Sequence, residues 1–175
     1  MRLAGLVCLA LYVGTIFAAN WAITRYGLVT VAPGLVAPAG VYFAGLAFTL
    51  RDLTQNLLGR RWVVAAILAG AAASWVVSSS FAIASAVAFL ISETADFLVY
   101  TPLARRGWTI AATCGAVVGA AIDSLIFLQL AFHDLSFWKG QFVGKLEMAL
   151  VAILIWALVE RWVRSSGGQI LAEPG

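Results

Sequence analysis

Two acidic residues lie inside an apolar stretch that is long enough to cross a membrane. Glu93 and Asp96 fall within residues 81–100, whose other side chains are almost all apolar or small. Residues three apart share one face of a helix, and Phe89 and Tyr100 continue the same face at four-residue spacing. A charge in hydrocarbon costs at least about 2.5–3.5 kcal/mol, so charged residues there usually face a bundle interior and mark a pathway or ligand site. We therefore predict that this face binds the protein's ligand.

The carboxylate pair also restricts the chemistry of that ligand. Two neighbouring carboxylates repel each other unless a cation or a donor-rich ligand lies between them. A carboxylate in a dry pocket suits two parallel N–H donors, which a guanine-like ring presents through N1–H and its exocyclic amine. Phe89, Phe97 and Tyr100 add flat apolar surfaces nearby. These residues predict a membrane transporter or binder of a small, flat, donor-rich or cationic molecule.

Composition places the chain among membrane proteins. Its 175 residues are 63% hydrophobic and 11% charged, whereas a soluble domain is nearer half apolar and a quarter charged. Cys8, Cys114 and the single His133 have no metal-ligand spacing, so we predict no metal, no cofactor and no disulfide framework. The sequence has no phosphate-binding glycine loop and no catalytic triad pattern, and its basic residues occur in short clusters. We expect neither an enzyme nor a nucleic-acid-binding protein.

The order of apolar segments predicts an all-α integral membrane protein, one bundle of six transmembrane helices. Segments of spanning length lie at about 3–24, 35–57, 61–79, 81–100, 108–132 and 140–162. We expect one domain over residues 1–164, followed by a flexible polar tail over 165–175. A cleaved signal peptide ending near Asn20 is an alternative for the first segment, although its apolar run is long for that role. Pro33 and Pro38 fit either the first turn of the second helix or an irregular segment lining a cavity.

Arginine and lysine positions predict the orientation of the bundle. With a cytoplasmic N-terminus, the inner side carries eight basic residues and the outer side at most three, which is the expected bias. The inner set is Arg2, Arg51, Arg60, Arg61, Arg105, Arg106, Arg161 and Arg164, and the outer set is Arg25, Lys139 and Lys145. We predict a multi-pass protein of the inner cell membrane with both termini in the cytoplasm.

Further polar residues occur in the other predicted helices, and each has a plain structural alternative. Asp52 could form only an interfacial ion pair with neighbouring arginines, and Asn20 only a hydrogen bond between helices. At 1.5 Å per residue, Asp123 and Lys145 both lie about 10 Å below the outer surface, so they could pair as ligand contacts or as a structural salt bridge. The candidate substrate-binding residues are Asn20, Asp52, Gln55, Phe89, Glu93, Asp96, Tyr100, Asp123 and Lys145.

Five short stretches resemble, in order, the queuosine precursor transporter family, also called the VUT family. They are Ala19-Asn20, the block at 51–59 (RDLTQNLLG), the segment at 92–97 (SETADF), the segment at 119–124 (GAAIDS) and Lys145. They resemble the family's T-D-L-T-x-x-x-x-G block, its polar-x-x-D and G-x-x-x-D-[ST] segments and its lysine in the last helix. The chain departs from that pattern at Arg51, where Thr is commoner, and at Glu93, where Gln is often found.

The resemblance implies uptake of a purine-like small molecule, a 7-deazaguanine such as 7-cyano-7-deazaguanine, across the inner membrane. The VUT family is also similar in size and helix number to the substrate-binding S components of energy-coupling-factor vitamin transporters. In that alternative the small-residue face Ala10, Gly14 and Ala18 docks on an energy-coupling partner, and the same face could join copies of this chain. A non-transporting structural membrane protein is a third alternative, which the buried acidic residues disfavour.

Overall fold

Six long helices and one hairpin make up the computed structural model, which describes residues 2–77 and 82–165. The helices are α1 (Arg2–Tyr26), α2 (Val41–Leu58), α3 (Arg60–Val77), α4 (Ala82–Leu103), α5 (Trp108–Phe132) and α6 (Trp138–Ser165), with a 3-10 turn at Ala104–Arg106. The predicted bundle of six helices is confirmed in this part of the chain, which also contains two short strands that were not predicted. Apart from Ser165, which ends α6, the predicted tail lies outside the described residues.

Four of the six helices are long and apolar enough to cross a membrane: α1, α4 with its following turn, α5 and α6. The helices α2 and α3 have 18 residues each, about 27 Å of helix, slightly less than the roughly 30 Å of a bilayer's hydrocarbon core. Most of α2 is nevertheless buried, and it packs against α1, α3, α5 and α6. The neighbouring helices therefore shield the polar residues of α2 from lipid.

A two-stranded hairpin stands where the second predicted helix was expected to begin. Strands β1 (Leu28–Ala32) and β2 (Leu35–Pro38) pair antiparallel, and Gly34 between them has a φ of +74°, which favours glycine in a tight turn. The prediction that helix began near residue 35 is wrong, because β-branched residues around a Pro-Gly turn favour a hairpin. Helix α2 starts at Val41 instead. The hairpin covers one end of the bundle, called the hairpin end below.

Glycines let the polar helices approach one another closely. A Cβ atom at Gly45 would meet the backbone of Lys145, and one at Gly119 would meet the ring of Phe48. At Gly115 a Cβ atom would collide with the carboxylate of Asp96. In α1, by contrast, no atom of the described residues outside α1 lies within 4 Å of the Cβ position of Gly14, which is exposed. The glycines of α5 therefore pack inside the bundle, whereas Gly14 faces away from it.

Candidate functional site

A buried ion cluster occupies the bundle centre and consists of Arg51, Asp52, Glu93 and Asp96. One guanidinium nitrogen (Nη2) of Arg51 lies 2.5 Å from Oδ1 of Asp52 and also contacts Oδ1 of Asp96, and Nε lies 3.4 Å from Oε2 of Glu93. All four residues are at most 1% exposed. The cation between the repelling carboxylates is thus supplied by the chain itself, from α2.

This position of Arg51 corrects one prediction and one structural alternative. Arg51 does not lie at the inner surface, and Asp52 pairs with the buried Arg51 inside the bundle and not at an interface with the exposed Arg60 and Arg61. Both cluster residues of α2 point into the bundle, where Glu93 and Asp96 of α4 meet them. Without Arg51 the inner set of basic residues falls to seven, and the predicted orientation still has the expected bias.

Polar and aromatic side chains surround the buried ion cluster. The Cζ atom of Arg51 lies 5.7 Å from the ring centre of Tyr100, close enough for a cation–π contact. The Tyr12 hydroxyl of α1 lies beside the Glu93 carboxylate. The amide of Gln55 donates a hydrogen bond to Thr101 at 3.1 Å. Tyr100 and Gln55 each follow a cluster residue by about one helical turn, which places them on the side of the cluster that is farther from the hairpin.

A second polar network lies closer to the hairpin and joins α4, α5 and α6. The Nζ atom of Lys145 donates to Oδ2 of Asp123 at 2.5 Å, to Oγ of Ser124 at 3.2 Å and to Oε1 of Gln141. The hydroxyl of Ser92 donates to Oδ1 of Asp123 at 3.3 Å. The predicted contact between Asp123 and Lys145 is therefore present, and all three ammonium protons have acceptors.

The buried ion cluster and the second polar network both border a cleft at the hairpin end. This cleft encloses about 630 Å³, counting the part open to the exterior. Five predicted residues line it: Asn20, Phe89, Glu93, Asp123 and Lys145. The walls also include residues that sequence reasoning did not select: Phe43, Phe48, Phe127, Ser92 and Gln141. The remaining predicted residues are Asp52, Gln55, Asp96 and Tyr100, which lie outside the lining. Glu93 alone belongs both to the cleft lining and to the buried ion cluster.

Two of the missed residues left a signal in the sequence. Gln141 stands four residues before Lys145, the spacing at which side chains meet on a helix, and the Gln141 side chain accepts a hydrogen bond from that lysine. Arg51 sits well inside a segment of spanning length, where an unpaired charge would be costly. Because Arg51 was predicted to lie at the inner surface, it was not considered as the cation between Glu93 and Asp96.

Comparison with known proteins identifies the family. Residues 76–164, just over half of the chain, match the family model described as "Putative vitamin uptake transporter" (Vut_1). The chain belongs to this family. No curated protein and no solved structure matches it. The matched part of this VUT protein covers α4, α5 and α6, and with them Glu93, Asp96, Asp123 and Lys145.

Family and fold together make the VUT protein a multi-pass membrane protein for uptake of a small molecule. Its cleft combines one carboxylate, one ion pair and several aromatic walls, the composition typical of ligand sites that place a few polar groups on an apolar lining. Such a lining suits a flat ring whose edge carries hydrogen-bond donors.

Proposed function

We propose that this VUT protein takes up queuosine precursors, 7-deazaguanines such as 7-cyano-7-deazaguanine, across the inner membrane and binds them in the cleft. The observation that carries the proposal is the Glu93 carboxylate, which is buried, lines the cleft and has aromatic side chains around it. A carboxylate with this access can accept the N1–H and amine donors of a guanine-like edge together. Paired charge-assisted hydrogen bonds of this kind both strengthen and orient binding.

Two amide groups of the cleft lining support recognition of the ring's acceptors. Gln141 and Asn20 carry these amides, whereas the three ammonium protons of Lys145 already have acceptors within the chain. The amide of Asn20 donates to the backbone oxygen of Ile16 at 2.9 Å, which holds that side chain in a fixed orientation. Phe43, Phe48 and Phe89 offer apolar surface to a flat ring, so polar recognition at its edges combines with apolar burial of its faces.

The predicted binding residues that do not line the cleft have a different role in this proposal. Asp52 and Asp96 hold Arg51, which in turn contacts Glu93. Tyr100 covers the guanidinium, and Gln55 ties α2 to α4 through Thr101. We propose that these residues position the Glu93 carboxylate and do not touch the ligand.

The geometry also fits the direction of uptake. The cleft lies at the hairpin end, opposite the chain termini, and the basic residues predict that the termini are cytoplasmic. A cleft on the outer side of the inner membrane would receive the ligand before it enters the cell.

Binding by the purified protein tests this function. We expect 7-cyano-7-deazaguanine to bind the parent protein, and Glu93→Gln to weaken that binding about 10- to 100-fold, since an amide cannot accept both donors and leaves a mismatch of about 1–3 kcal/mol. The matched control is Glu147→Gln, which makes the same change at an exposed position of α6 and should leave the dissociation constant unchanged. Equal affinity of Glu93→Gln and parent would contradict the assignment.

A second candidate is a substrate-binding S component that works with a separate ATPase. The outward face of α1 favours it, because Ala10 and Gly14 are exposed and Gly14 leaves room for close helix approach. Proteoliposomes that contain only this chain separate the two candidates. Uptake by the chain alone supports an independent transporter, whereas binding without uptake supports the S-component alternative.

A further inference from the structure

The charges of the buried ion cluster do not balance. Arg51 contributes one positive charge, and Asp52, Glu93 and Asp96 contribute three carboxylates. The second ion pair, between the buried Lys145 and the partly buried Asp123, is balanced within itself. If all of these groups were ionised, two net negative charges would remain at side chains that are at most 1% exposed, which a low-dielectric interior strongly disfavours.

A metal ion does not fit the position where the missing positive charge is needed. Among residues 2–77 and 82–165 no group of three or more His, Cys, Asp or Glu side chains is arranged to hold one. The space that the three carboxylates share is filled by the guanidinium of Arg51, which contacts each of them. A proton needs no such space, because it can bind a single carboxylate oxygen.

Glu93 is the carboxylate best placed to take a proton, which lowers the excess from two negative charges to one. Its Oε2 atom lies 3.4 Å from Arg51, whereas both aspartates approach the guanidinium more closely. It also lines the cleft, so a proton can reach it or leave it. The fully buried hydroxyl of Tyr12 lies beside Glu93 and has no other partner within the described residues, so it is available to donate to the ionised carboxylate.

Side chains from several helices surround Glu93. In α3, among residues 60–72, whose burial the structure describes, the buried ones are Val63, Ala66, Ile67 and Gly70, and none of them is titratable. The titratable and charged groups from the other helices are Tyr12, Arg51, Asp52, Asp96, Tyr100, Asp123 and Lys145. Asp96 is the neighbouring like charge on the same helix, Arg51 is the neighbouring cation, and Tyr12 supplies a neutral hydroxyl donor.

We propose that Glu93 binds a proton while the cleft is empty and releases it to the cleft when the ligand's N–H donors take its place. The inference rests on the proposed function, because it uses the same carboxylate as the ligand-binding group. Proton and ligand then compete for Glu93. The protein exchanges one proton for each ligand molecule bound.

The proton site is tested first without ligand, by infrared difference spectroscopy of the purified protein over a pH titration. We expect a carbonyl-stretch band of a protonated carboxylic acid that is missing in Glu93→Gln. The midpoint of this band should move to lower pH in Asp96→Asn, which removes a neighbouring like charge. It should move to higher pH in Tyr12→Phe, which removes a donor to the ionised form. Opposite shifts of this kind would not arise from a general loss of structure. A band that Glu93→Gln leaves unchanged overturns the proton site.

The exchange is tested by calorimetric titration with 7-cyano-7-deazaguanine in buffers of different ionisation enthalpy. We expect close to one proton released per ligand in the pH range where the Glu93 band is present, and a dissociation constant that rises up to tenfold for each pH unit of acidification. Proton uptake, or no proton change, overturns the exchange. An intact Glu93 band with no ligand binding contradicts the proposed ligand and leaves the proton site standing.

Discussion

Among single residues, the buried ammonium of Lys145 depends on the Asp123 carboxylate to offset the cost of burying its charge. Lys145 is 2% exposed, and the side chain of Asp123 is 16% exposed where it borders the cleft. Removing one member of a buried pair strands the other and costs about 3–5 kcal/mol, whereas removing both can be nearly neutral. We expect Asp123→Asn and Lys145→Met each to lower thermal stability, and the double variant to recover much of it while transport stays impaired.

The surface pair between Arg164 and Glu160 is the matched control for that experiment. It has the same 2.5 Å separation, but the side chain of Arg164 is 64% exposed, and such pairs typically contribute about 0.3–0.5 kcal/mol. Arg164→Met should therefore leave the melting temperature almost unchanged. If Lys145→Met is as stable as Arg164→Met, the Lys145 pair is not shielded. If the double variant transports fully, both residues leave the candidate site.

At the scale of helices, the distance between α4 and α5 is set by a missing side chain. A Cβ atom at Gly115 would collide with the Asp96 carboxylate, which contacts Arg51. We expect Gly115→Ala to destabilise the protein by about 1–3 kcal/mol, the range for overpacking. Gly14→Ala is the matched control, since no atom outside α1 in residues 2–77 or 82–165 lies within 4 Å of its Cβ position, and alanine favours the helix by up to about 1 kcal/mol. Melting temperatures in one detergent compare the two. Equal stability would mean that the helices can separate at no cost.

Sequence patterns predicted the helices well but the contacts between them only in part. Runs of apolar residues fix six helices, because a chain in lipid must satisfy its backbone within each helix. They do not fix the rotation of a helix about its axis, and α2 shows the consequence. Arg51 and Asp52 are adjacent, so periodicity alone could not tell that both side chains face inward. The hairpin was missed because its short apolar strands adjoin an apolar helix and extend the same hydropathy signal.

At the scale of the whole molecule, the exposed arginines predict the orientation in the membrane. Arg60, Arg61, Arg105 and Arg106 are exposed at the end of the bundle opposite the hairpin. Reporter fusions after Arg61, Arg106 and Arg164 should therefore all report the cytoplasm. A fusion after the hairpin-end residue Leu135 should report the opposite side and serves as the control. A periplasmic signal at any of the first three positions would contradict the topology.

Ligand protection of a cysteine placed inside the cleft tests whether the cleft opens outward and binds a 7-deazaguanine. Ser85 of α4 lines the cleft, and the exposed Cys114 can be replaced by alanine. We expect a membrane-impermeant thiol reagent added outside intact cells to modify Ser85→Cys, and saturating 7-cyano-7-deazaguanine to slow this reaction at least tenfold. Modification that the ligand does not slow would contradict the claim, as would a cysteine that the reagent reaches only after the membrane is opened.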